Sequence, residues 1–279
     1  CHVVGTLMTI FATGYDMLFW ATFIVALGNG TVEAVINPVV ATMFPREKTK
    51  WLNILHAGWP GGLVLGGLLA IGLGDASWTL KVSLIFIPVA LYGIILLGRK
   101  FPVHERVAAG VSYKDMLKEA GAIGALIVIF LMTWEIGRVF ELPVIVRAII
   151  VVALTVGYGF YVKSLGRPMF IFLLLIMIPL ATTELGTDSW ITPLMESQMV
   201  EMNLNPGWLL VYTSFIMMML RFCAGPIVHK LSPLGLLAAC AVIAAVGLLY
   251  LSLAQGIMIL VAATIYGVGK TFFWPTMLG

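Results

Sequence analysis

The stretch Gly28 to Pro45 reads GNGTVEAVINPVVATMFP and follows the apolar run MLFWATFIVAL, so Glu33 is a carboxylate in the middle of a hydrophobic segment. Low-dielectric surroundings penalise its charge, which suits it to taking up and releasing a proton. A structural ion pair with a neighbouring helix is the alternative role. Asn37 falls one helical turn later and shares its face, although Asn37-Pro38 also fits a simple kink. Asn53, His56 and Trp59 recur every three residues, roughly on one helical face. An amide can bond hydroxyls and an indole can lie against a sugar ring, so these three are candidate substrate contacts; packing near the start of their span, close to Lys50, is the competing role. Glu184 and Asp188 stand four apart and share a helix face that would suit the wall of a water-filled cavity. Asp188 also fits an interfacial charge near the outer surface. No HExxH, GxSxG, Cys/His cluster or phosphate loop occurs, which weighs against an enzyme.

The elements that position these groups follow from composition. Of 279 residues, 61% are hydrophobic and only 10% charged, against about 25% charged in soluble domains. With a mean hydropathy of +1.06, the chain must have lipid as its main solvent. The net charge of +3 is too small to suggest nucleic-acid binding. Cys1, Cys223 and Cys240 have no metal-like spacing and read as reduced packing residues. After a short first apolar run, spans are expected near 17–43, 52–73, 79–98, 120–138, 143–162, 169–190, 207–228, 234–253 and 257–278, separated by turn signals such as GDAS and NLNPG. The fold class is therefore an all-α polytopic transmembrane bundle. Basic and base-poor connections alternate as the positive-inside rule requires, with RVFELPVIVR the poorest fit. Arg221 is expected at a cytoplasmic helix end, Glu135 and Arg138 as a local pair, Trp78, Trp190 and Trp208 as interfacial anchors, and Gly58, Gly61, Gly62, Gly66 and Gly67 at close helix contacts. The chain starts at Cys1 within an apolar run and ends within another, and it reads as an internal fragment without a recognisable signal peptide.

An internal repeat connects two of the ionisable groups. When Pro275 of YGVGKTFFWPTMLG is aligned with Pro38, Gly267 falls on Gly30 and Lys270 on Glu33. Two parallel repeats with kinked helices around a midplane site would produce this pattern. Glu33 and Lys270 are then expected to face the interface between halves and to approach in one state, with Glu33 taking up a proton when they separate. Trp274, beside Pro275, joins the substrate-binding candidates.

Loop charges, chain order and the repeat resemble the major facilitator superfamily. More narrowly, GNGTVEAVINP followed by WLNILHAGWPGG is similar to the fourth and fifth helices of the L-fucose permease and its sugar:proton symporter relatives, with Glu33 matching the family's protonatable glutamate and Leu52-Asn53 its Leu-Asn. TELGTDSWITPLM resembles the seventh helix, and RFCAGPIVHK the loop between the eighth and ninth. His56 stands where a glutamine is usual, His56 and Trp59 replace smaller polar groups, and the family's first-helix aspartate lies outside this chain. The resemblance implies that 1–98 is the end of an N-terminal six-helix half, 99–119 a cytoplasmic inter-half loop, 120–162 an inserted helical hairpin and 163–279 the start of the C-terminal half. It further implies a monomeric multi-pass protein of the plasma or inner membrane, without cofactor or metal, that takes up a sugar-like solute with protons by alternating access. An exporter or antiporter of another organic solute and a non-transporting sensor are the competing functions.

Overall fold

The computed structural model describes residues 1–278, and its described elements are helices with no strand among them. In chain order the longer ones are α1 (His2–Ile10), α2 (Tyr15–Met43), α3 (Lys48–Gly72), α4 (Trp78–Leu96), α5 (Tyr113–Val139), α6 (Val144–Val162), α7 (Pro168–Leu194), α8 (Gly207–Phe222), α9 (Pro233–Leu253) and α10 (Met258–Leu278), with short helices over Glu105–Ala108, Glu196–Glu201 and Ala224–Val228 between them. Eight of them, all but α1 and α8, are long and apolar enough to cross a membrane. Large apolar side chains such as Leu97 and Phe160 stand 78% and 77% exposed, as lipid-facing residues do. Hydroxyls within the spans are met locally: Thr22 and Thr31 of α2 donate back to the Leu18 and Leu27 carbonyls.

The chain forms two compact units, Cys1–Pro102 with Thr182–Gly279, and Val103–Ala181. The division falls inside α7, where the α-helix changes to a π turn over Thr182–Gly186. In the first unit α9 and α10 run in close contact, α1 lies on α2, and α8 packs against α3, α7 and α10. A Cβ on Gly247 would meet the Tyr266 backbone nitrogen at 2.4 Å and one on Gly269 the Ala244 nitrogen at 2.3 Å, so glycine at these two sites permits the α9–α10 approach. Ile191, Met199, Leu209, Leu251, Ile259 and Ala263 form the apolar core where α7 to α10 meet the short helix Glu196–Glu201. Of the glycines expected at close contacts in α3, Gly61 and Gly67 face Met218 and Val211 of α8, whereas Gly58, Gly62 and Gly66 face open space.

In the second unit α5 begins at Tyr113, inside the stretch expected to be a loop. The Ser112 hydroxyl caps it by accepting from the Asp115 amide at 3.2 Å. The helix breaks at Gly121, whose φ of 56° favours glycine. The amides freed by this break, Ala122 and Ile123, donate to the Ser164 and Leu165 carbonyls at 2.8 and 3.1 Å. Glu119 receives Arg167 at 3.1 Å and Arg106 at 3.7 Å. These contacts tie 163–181 to the α5–α6 hairpin in one compact unit. Glu135 and Arg138 form a local ion pair.

Candidate functional site

Within the first unit a cavity of about 380 Å³ lies among α1, α2, α3, α7, α8 and α10, a size ordinary for small-molecule sites. The α2 wall carries Asn29 and Glu33 one turn apart, with Asn37 continuing the same stripe just off the cavity. The Glu33 side chain is 37% exposed; it opens onto the cavity instead of being buried in lipid-like surroundings. The Trp274 indole N–H donates to its Oε1, and His56 Nε2 stands 4.0 Å from the same oxygen. Each asparagine of the stripe holds a histidine. His56 Nε2 is 2.9 Å from Asn37 Oδ1, and His2 Nε2 is 3.0 Å from Asn29 Oδ1. Because an amide oxygen only accepts, both histidines donate through Nε2. The second His2 nitrogen, Nδ1, meets the Tyr92 hydroxyl at 2.5 Å.

The expected Glu33–Lys270 approach is not what this conformation contains. Lys270 is fully buried and forms an ion pair with Asp188, with Thr213 Oγ1 at 3.5 Å. Neither Lys270 nor Asp188 lines the cavity. The reason is the break in α10 at Thr271–Phe272: Lys270 ends the first helical piece facing α7 and α8, and Trp274, in the second, turns to the cavity. Asn53 is also corrected. It is completely buried, its amide donates to the Thr49 carbonyl at 2.8 Å, and it lies off the cavity wall. His56 and Trp59 from the same face do line it.

Glu184 reaches the cavity from the π turn of α7, where it is 4% exposed and paired with Arg221 at 2.9 Å. Such π turns recur at functional sites. Arg221 was expected at a cytoplasmic helix end; instead it is 1% exposed and part of the cavity wall. Its guanidinium donates from Nε to the Thr271 carbonyl at 2.7 Å, from one terminal nitrogen to the His56 carbonyl at 2.9 Å, and from the other to Glu184. Both carbonyls stand four residues before a proline, Pro60 and Pro275. A proline has no N–H to return to the carbonyl four residues back, so each proline leaves an acceptor that the one guanidinium satisfies.

Sequence reasoning missed Arg221, His2, Asn29 and Tyr92 as parts of this region. The spacing from His56 to Pro60 and from Thr271 to Pro275 was the available signal for orphaned carbonyls; nothing in it named the donor. A cavity framed by kinked membrane helices, with ionisable groups drawn from both ends of the chain, is the geometry of a solute-binding protein of the membrane. The family model described as Major Facilitator Superfamily matches residues 3–279. The chain belongs to the Major Facilitator Superfamily. It is therefore a multi-pass membrane protein of a secondary-transporter family, not an enzyme. Neither the curated proteins nor the solved structures returned a match. For a major facilitator protein, the cavity of the first unit is the natural candidate for the solute site, with Arg221, Glu184, His56 and Glu33 as its polar framework.

Proposed function

We propose that this transporter takes up a sugar or similar small polar solute together with a proton by alternating access, with Glu33 carrying the proton. One observation carries the reading: among the cavity's carboxylates, Glu184 is tied to a buried arginine, whereas Glu33 faces the open volume and accepts the uncharged Trp274 indole N–H. A group in that position can exchange protons with a hydrated cavity, and its charge biases which state is favoured. The likeness of the Glu–Asn–Pro segment and of WLNILHAGWPGG to sugar:proton symporters supports the choice of solute. Trp59 and Asn29 offer an indole and an amide to such a ligand. In proteoliposomes holding the full-length protein, Glu33→Gln is expected to abolish uphill, proton-driven accumulation while sparing counterflow exchange. Uphill accumulation at the wild-type level in that variant would overturn the assignment.

A second reading, exchange or export of another organic solute, draws on a different feature. Much of the remaining wall is apolar, formed by Val32, Ile36, Leu55 and Leu185. Uptake and efflux assays with imposed gradients of opposite sign separate the two directions.

A further inference from the structure

The polar side chains around the cavity are mostly committed to one another. Arg221 is held by Glu184 and two carbonyls, His56 by Asn37, and His2 by Asn29 and Tyr92. A ligand that recruits these groups has to displace the bonds they already make, and each bond broken without replacement costs affinity. What the cavity still presents is the Glu33 carboxylate, the half-exposed Trp59 indole and apolar surface. The charges divide in the same way. Glu184 has Arg221 and Asp188 has Lys270, but among the described residues no lysine or arginine stands within 4.0 Å of Glu33. The Trp274 N–H fixes the carboxylate in place and carries no charge.

A carboxylate without a fixed counter-ion, next to an aromatic wall in an apolar recess, is the chemistry that recognises an organic ammonium. The carboxylate supplies Coulomb attraction, strengthened where water is displaced. An indole face attracts the same cation through its quadrupole, most strongly when the cation is desolvated. A hard inorganic cation would instead require several oxygen ligands, and the other carboxylate of the cavity, Glu184, is held by Arg221.

We infer that Glu33, Trp59 and Trp274 form a binding site for a small organic ammonium ion, which occupies the same carboxylate as the proton. The inference rests on the reading of Glu33 as an exchangeable carboxylate and not on the sugar assignment. Proton and cation then exclude each other: binding the cation to the protonated site releases a proton. The other ionisable groups around Glu33 are His2 on α1, His56 on α3, Glu184 on α7, Arg221 on α8 and Lys270 on α10. Arg221 and Lys270 keep their charges on their own carboxylates.

The test is calorimetric binding of choline to the purified full-length protein, alongside its uncharged carbon isostere 3,3-dimethylbutan-1-ol. Choline is expected to bind, with proton release in weak buffer and with an apparent affinity that weakens as the proton concentration is raised. The isostere should bind at least about tenfold more weakly than choline, because it keeps the shape and loses the charge. Glu33→Gln should remove choline binding, Glu33→Asp should keep a pH-dependent remnant, and Trp59→Ala should weaken binding about fivefold. Absence of choline binding, equal binding of the isostere, or unchanged binding in a folded Glu33→Gln protein would each overturn the inference. If choline fails but Glu33-dependent uphill uptake persists, the proton reading stands without it. If choline binding depends on Glu33 but uphill uptake does not, the proton reading fails and the cation site stands.

Discussion

Lys270 has no exposed surface and one carboxylate partner, Asp188, which is itself nearly buried. Removing one member leaves an uncompensated charge, whereas replacing both with apolar groups removes the cost of desolvation as well. Lys270→Met is therefore expected to destabilise the protein by about 3–5 kcal/mol, and Lys270→Met with Asp188→Leu to recover most of that loss. Thermal melting in detergent measures both; equal melting of the single and double variants would show that the pair is not the stabilising contact. The placement of Glu33, Glu184, Asp188, Arg221 and Lys270 in or beside apolar runs was legible in the sequence. The partnerships were not legible. Which carboxylate a lysine meets depends on helix rotation and on the break after Lys270, and repeat alignment equates positions without making them touch. Arg221 misled for a related reason: an arginine near the end of an apolar run reads as interfacial until packing shows α3, α7 and α10 closed around it.

At the scale of elements, α3 and α10 are each interrupted by a proline, and α8 brings the donor that the interruptions lack. Pro60→Ala would return an N–H to the His56 carbonyl and make it compete with Arg221. In an Arg221→Lys background that carbonyl loses the guanidinium N–H it accepts, since an ammonium cannot reproduce the planar fork that reaches three acceptors at once. Pro60→Ala should accordingly be more favourable in Arg221→Lys than in the wild type, with a coupling of about 1 kcal/mol in a double-mutant melting cycle. Additive effects would indicate that the arginine is not needed at that acceptor. The α9–α10 contact gives a second case. Gly247→Val would drive a side chain into the Tyr266 backbone and should cost about 1–3 kcal/mol or prevent the two helices from packing, measured by the same melting assay. Helix number and approximate limits were readable because a span is a long apolar run, and span length depends little on neighbours. The start of α5 at Tyr113 was not: its first turns are polar, and only the Ser112 cap and the Gly121 break mark them.

Over the whole molecule, the first unit holds the cavity and the second the hairpin of α5 and α6 with the start of α7. Cys240 sits 4% exposed on α9, while Cys1 and Cys223 are exposed. With Cys1→Ser and Cys223→Ser in place, Cys240 should react with a thiol dye only as the protein melts. Rapid reaction well below the melting transition would mean that α9 and α10 part on their own. The closed set of bonds around Arg221 has a further consequence under the proposed transport cycle. Any motion that carries α8 away from α3 or α10 strips the guanidinium from the His56 or Thr271 carbonyl. A bare acceptor there is costly unless hydrated, so water must enter as the helices part. Conformational exchange would then have a hydration number, and osmotic stress from a polymer too large to enter should slow transport. Pro60→Ala, which returns an internal donor to one of the two carbonyls, should soften that dependence.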